Sequence, residues 1–368
     1  MGVLRLILAI TVVIAHSKSI FGIRLTGGIV AVEAFFIISG FYMTMILDKK
    51  YIGKGSYTLF LSNRFLRLYP MYWIVLLLTI CVSIISYAMY DDWLKLSPYI
   101  QHFNAIKLET LIFQIITNIA LFGQDVVLFL GIDLESGGMY FTQDFRATYP
   151  RFHHFLLVPQ AWSLGIEVMF YLIAPYIVRR SNFFIIAIIS FSILIKTYTC
   201  IVLELNHDPW TYRFFLSELS LFLFGTVSYR LYSVYKIHQS KIFGWKLTNF
   251  VVSGLFLIII FYQYIQKVWG VEGVNWFFYF YCCLSIPFLF DLSKSSKLDS
   301  RIGELSYPVY ISHILIIICI APLLSLLGWE EYKGVWSIVF TILVSYVLVR
   351  MISDPIEKIR QARVKVEK

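Results

Sequence analysis

Residues 111–130 read Leu111-Ile112-Phe113-Gln114-Ile115-Ile116-Thr117-Asn118-Ile119-Ala120-Leu121-Phe122-Gly123-Gln124-Asp125-Val126-Val127-Leu128-Phe129-Leu130. Whether this stretch crosses a membrane decides the fold. It has the roughly 20 residues a transmembrane helix needs, but it carries Gln114, Asn118, Gln124 and Asp125. The surrounding chain leaves no doubt about class. Of its 368 residues 59% are hydrophobic and only 14% charged, and the mean hydropathy is +0.76. A soluble domain carries about a quarter charged residues, so the chain reads as a polytopic membrane protein. Ten other apolar stretches are long enough to span: 3–20, 29–47, 71–90, 162–178, 183–203, 213–231, 247–265, 274–290, 306–327 and 335–352.

Lysine and arginine placement sets the count, because cytoplasmic loops are enriched in both. With ten spans and both termini cytoplasmic, 21 of the 31 basic residues fall inside and eight outside, Lys196 and Arg213 lying in or at the edge of spans. If 111–130 also spanned, every later basic loop would flip outward and the bias would collapse. The expected fold is therefore an all-α, polytopic membrane helix bundle of about ten transmembrane helices with cytoplasmic termini. Residues 1–352 form one transmembrane domain, 91–160 a long extracytoplasmic segment with a re-entrant or interfacial helix, and 353–368 a basic cytoplasmic tail. The net charge of +9 follows this topology and does not imply nucleic-acid binding. Cys81, Cys200, Cys282, Cys283 and Cys319 sit in apolar stretches, as packing residues rather than a disulfide or metal framework. Arg5 interrupts the first apolar run and no clean small-residue cleavage site follows it, so that run reads as an uncleaved helix.

Ionisable groups inside these spans are costly and point to function. Arg5 and His16 are eleven residues apart, about 20° past three full helical turns, so they share one face with an axial separation of roughly 16 Å. Orientation puts Arg5 at the cytoplasmic boundary and His16 in the outer part of the membrane. Glu33 lies at about His16's depth on the second span, with the small pair Ser39 and Gly40 deeper. Arg64 and Arg67, ahead of Pro70 and the third span, share a helix side, and guanidinium groups suit bidentate phosphate binding. Glu167 follows Trp162-Ser163 by about one turn at outer depth. His313, in Ser306-Tyr307-Pro308-Val309-Tyr310-Ile311-Ser312-His313, is placed in the inner third, beside a donor channel or a helix contact. Lys196 and Glu218 lie toward the outer side of their spans, placed either to pair with each other or to line an acceptor cavity. His153-His154 reads as a solvated pair, with no third ligand at metal spacing.

Taken in order, Arg5-x10-His16, the Gly28…Glu33…Phe35-Phe36…Ser39-Gly40-Phe41 block, Arg64-x-x-Arg67…Pro70, Trp162-Ser163-Leu164…Glu167 and Ser306-Tyr307…Tyr310…His313 resemble the acyltransferase-3 family of integral membrane proteins over essentially the whole chain. Glu33 stands where that family often has Asp, Ala31 where Gly is common, and Asn63 where an Arg often precedes Arg64. The extracytoplasmic hydrolase-like domain of some relatives is lacking.

The resemblance implies transfer of an acetyl group from cytoplasmic acetyl-CoA, with no metal, to a hydroxyl of a cell-surface or lipid-linked polysaccharide, in a bacterial inner membrane. On that reading Arg64 and Arg67, with Arg5 and His313, bind the donor. His16 is the general base or a transient acyl carrier, and Glu33 or Glu167 supplies the orienting carboxylate. The partners are a glycan or glycolipid acceptor and membrane lipids. The competing class is a glycolipid or small-anion transporter or flippase, for which no inverted repeat or matched pair of broken helices is visible.

Overall fold

The computed structural model describes residues 1–237 and 245–366; Lys241 and Lys368, counted above on the inner side, lie outside them. The first half contains α1 (Gly2–His16), α2 (Gly28–Lys49), α3 (Ser56–Tyr90), α4 (Ser97–His102), α5 (Leu108–Ala120), a hairpin of β1 (Leu130–Ile132) and β2 (Met139–Phe141), and α6 (Trp162–Ile177). Then follow α7 (Asn182–Thr197), α8 (Phe215–Ile237), α9 (Trp245–Trp269), α10 (Val271–Ser293), α11 (Lys297–Glu304), α12 (Ser306–Leu326), α13 (Lys333–Leu348) and α14 (Asp354–Val366).

A helix stands at each of the ten expected spans, but only seven helical stretches among the described residues are both long and apolar enough to cross a membrane. The other three expected spans are α1, α6 and α8. At 15 and 16 residues, α1 and α6 reach about 22–24 Å, short of the roughly 30 Å hydrocarbon core. The third, α8, is long enough but polar: it buries Ser217, Glu218, Ser220, Thr226 and Ser228 and faces protein rather than lipid.

Residues 111–130 do not form one helix. The 13-residue α5 is about 20 Å long and stops at Leu121, whose φ is +62°. Its polar residues are spent inside the protein. Asn118 donates to the Phe155 carbonyl at 3.0 Å and accepts from Leu157 N–H at 2.9 Å, while Gln124 donates to the Tyr72 hydroxyl at 2.7 Å. Those polar groups pin α5 to α3 and to residues 152–157, which is why an apolar stretch of spanning length carries them.

The central helix is α2. Its two useful stripes follow the helical repeat. Glu33, Ile37 and Gly40 (i, i+4, i+7) face α8, where a Cβ on Gly40 would lie 1.8 Å from the Phe222 carbonyl oxygen and one on Gly225 2.0 Å from that of Ile37. Only glycine permits this backbone approach. Val32, Phe35 and Ser39 lie on the adjoining stripe and face a cavity. The start of α1 is fixed by α11: Asp299 accepts from the backbone N–H groups of Gly2 at 2.7 Å and Val3 at 3.0 Å, satisfying donors a helix start leaves free.

Two expected boundaries shift. The third span was to begin at Met71, yet α3 runs unbroken from Ser56 through Pro70, so Arg64 and Arg67 belong to the same helix. The residues expected as a tail form α14, which docks on α3: Arg360 Nε donates to the Asn63 carbonyl at 3.0 Å and Arg363 to Ser62 Oγ at 2.8 Å.

Candidate active site

A cavity of about 460 Å³ opens among α1, α2, α3, α6, α11, α12 and α14. Arg5, Arg64, Arg67 and Glu167 all line it, so four of the seven sequence candidates meet in one place. Among the described residues none of the three guanidinium groups forms an ion pair with a carboxylate. Arg64 is only 7% exposed, and its Nε is buried without a hydrogen-bond partner. The charges of Arg5 and Arg67 are near enough to oppose each other. Arg5 is half-buried and Arg67 exposed, but leaving the Arg64 charge buried without an acid is expensive, and three clustered guanidinium groups suit an anion. Ligand cavities commonly measure about 300–1,000 Å³, and this one falls within that range.

Glu167 is held, not free. Ser39 Oγ and the Tyr171 hydroxyl both donate to its Oε1, each at 2.5 Å. Ser39, marked in the sequence only as half of a small pair, is thus a cavity group that orients the carboxylate. Beyond it Ser163 Oγ and the Tyr310 hydroxyl are 2.6 Å apart, and Tyr310 also donates to the Gln160 carbonyl at 2.8 Å. Both Ser163 and Tyr310 line the cavity. The sequence quoted them but gave them no role; Ser163 is one turn before Glu167 and Tyr310 three residues before His313, and those helical offsets were the available signal.

Behind Tyr310 lie the two histidines. The Tyr310 and His313 rings are 6.0 Å apart, and the His313 and His16 rings 5.0 Å apart. His313 was expected in the inner third, away from His16. Counting depth from Ser306 was the error: α11 already packs against Gly2, so α12 enters the bundle higher than its own first residue indicates. His313 is completely buried, its Nδ1 2.6 Å from the Tyr310 carbonyl oxygen and its Nε2 without a partner. A carbonyl only accepts, so Nδ1 carries the proton and Nε2 presents a lone pair. His16, the last residue of α1, is exposed.

Neither candidate carboxylate reaches His16. Glu33 is 3% exposed and faces away from the cavity. It pairs with Lys196 at 3.3 Å and accepts from the Tyr279 hydroxyl, while Lys196 also pairs with Glu218 at 3.1 Å. The expected Lys196–Glu218 pair therefore exists and has captured Glu33; the helical repeat that puts Gly40 on α8 puts Glu33 there too.

A family model described as an acyltransferase domain matches residues 1–352 of the chain. No curated protein and no solved structure matches it.

Proposed function

The chain belongs to the acyltransferase-3 family and is a multi-pass membrane acyltransferase; from that premise we propose that it moves an acetyl group from cytoplasmic acetyl-CoA to a hydroxyl of a cell-surface or lipid-linked polysaccharide, in a bacterial inner membrane with both termini cytoplasmic and ten helices in the bilayer. The observation that carries this reading is a cavity lined by three guanidinium groups without acid partners and by Tyr310, with the His313 and His16 rings next to Tyr310. The transporter reading draws no support from the family.

Arg64 and Arg67, with Arg5, take the phosphates of acetyl-CoA by charge-assisted hydrogen bonds. The thioester arm then extends past Glu167 and Ser39 toward Tyr310. His16 removes the proton from the acceptor hydroxyl, whose oxygen attacks the thioester carbonyl. The carbon–sulfur bond breaks, and the thiolate of coenzyme A receives that proton. His313 joins the catalytic pair rather than the donor site: its Nε2 lone pair, unpartnered in the structure, is to accept from an N–H of His16 in the reacting complex, which leaves the other His16 nitrogen free as the base. Glu33, tied to Lys196, serves the frame of α2, α7, α8 and α10.

The test is transfer of radiolabel from acetyl-CoA to host glycan by purified protein. Wild type transfers label, and His16→Ala, inserted normally, transfers none. Normal transfer by that variant sinks the proposal.

A further inference from the structure

A second cavity, of about 320 Å³, lies in the segment between α5 and α8, lined by Leu128, Phe145, Leu156 and Pro159 together with Arg146, Arg151, His153 and Arg213. Its polar lining is almost wholly cationic. Among the described residues Asp208 is the only carboxylate ion-paired there: its Oδ2 is 2.6 Å from Arg146 and its Oδ1 2.7 Å from Arg213 Nε. Arg151 is held by its Nε, which donates to the Arg146 carbonyl at 3.0 Å, and forms no ion pair among the described residues. Three guanidinium groups thus share one ion-paired carboxylate, with Asp144 also acting on Arg146, around a cleft at which Arg146 and Arg151 are exposed. His153 adds a neutral group, because burial, helped by neighbouring His154, pushes its imidazole down to about 3; its Nδ1 is buried with no partner.

Arg213 connects this cavity to the histidine pair. Its guanidinium lies 4.4 Å from the ring centre of Trp162, the first residue of α6, and its charge acts on both His16 and Tyr310. The cavity is therefore placed on the acceptor side of the path, opposite the donor cavity.

We propose that this cavity binds an oxyanion carried by the acceptor, either a uronate-type carboxylate on the glycan or the diphosphate that links a glycan to its lipid, and so holds a nearby hydroxyl at His16. The identification of the bound molecule as an acceptor rests on the acyl-transfer reading above; the anion site itself does not. Arg146, Arg151 and Arg213 supply the bidentate donors such groups need, and His153 Nδ1 a further hydrogen bond.

Isothermal titration of full-length protein in nanodiscs with glucuronate, inorganic diphosphate and glucose tests it. Wild type binds at least one anion and not glucose, and the preferred anion identifies which source the site is built for. In an Arg64→Ala background, which disables the donor cavity for anions, Arg151→Ala weakens that anion at least tenfold, Arg151→Lys less, and Lys267→Ala, which lines neither cavity, leaves it within twofold. Absence of anion binding, equal affinity in Arg151→Ala, or an equal loss in Lys267→Ala overturns the proposal. Label transfer from acetyl-CoA in the same preparations reads the parent proposal separately. Arg151-dependent anion binding by a wild type that transfers no acetyl group refutes acyl transfer and keeps the anion site.

Discussion

One hydrogen bond, from His313 Nδ1–H to the Tyr310 carbonyl at 2.6 Å, decides what the histidine pair can do. It leaves Nε2 as the only basic nitrogen of a fully buried ring, 5.0 Å between centres from His16. His313→Asn keeps a donor near the Nδ1 position and removes Nε2. A positioned base contributes roughly 10²–10⁴-fold, so this variant is expected to lower kcat by about 10²-fold with an unchanged KM for acetyl-CoA. A rise in KM alone would return His313 to the donor site. Arg64→Ala is expected to do the reverse, raising the KM for acetyl-CoA about tenfold or more with a small effect on kcat; a charge-assisted hydrogen bond is worth roughly 1.5–3 kcal/mol. An unchanged KM there would remove Arg64 from phosphate binding.

At the scale of elements, α2 carries the architecture on one stripe and the chemistry on the next. Its contact with α8 leaves no room for side chains at Gly40 and Gly225. Gly40→Leu is expected to abolish a monodisperse peak in detergent size-exclusion chromatography, whereas Gly273→Ala, with nothing within 4 Å of the added carbon, behaves as wild type. The segment between α3 and α6 has its own sensitivity. Because the folded His153 imidazole titrates near 3 rather than at its ordinary 6.5, the unfolded segment takes up a proton across that interval and the folded one does not. Stability therefore falls as pH drops from about 6.5 toward 3. Melting curves at pH 7 and pH 4.5 are expected to show a smaller acid loss for His153→Asn than for wild type. The positions of α1, α2, α6 to α10, α12 and α13 were legible because apolar runs and Lys/Arg placement report membrane burial directly. Glu33 was misread because depth was considered without phase: it sits at His16's level but on the α8 stripe of α2. The depth of His313 was misread because α11, too short and polar to register as part of a span, raises α12 in the bundle.

For the whole molecule, the proposed route runs from the first cavity, where Arg5, Arg64 and Arg67 stand beside residues of α14, past the hydrogen-bonded Tyr310 and Ser163 to the His313–His16 ring contact. Arg5, Arg64 and Arg67 were readable as one group because each stands in a short motif whose helical offset survives folding, whereas Glu167, expected at outer depth as the carboxylate for His16, lines their cavity instead. Tyr310, Ser163 and the second cavity depend on contacts between distant segments, such as Gln160 with Ile311, which no local spacing encodes. The most direct test of the route is acetyl transfer in sealed proteoliposomes, with labelled acetyl-CoA on the side of α14 and the host glycan only on the opposite side. The account predicts label on the glycan across the bilayer, lost in both His16→Ala and Arg64→Ala at low donor concentration. Label appearing only when donor and glycan share one side, or transfer undiminished in His16→Ala, would contradict it.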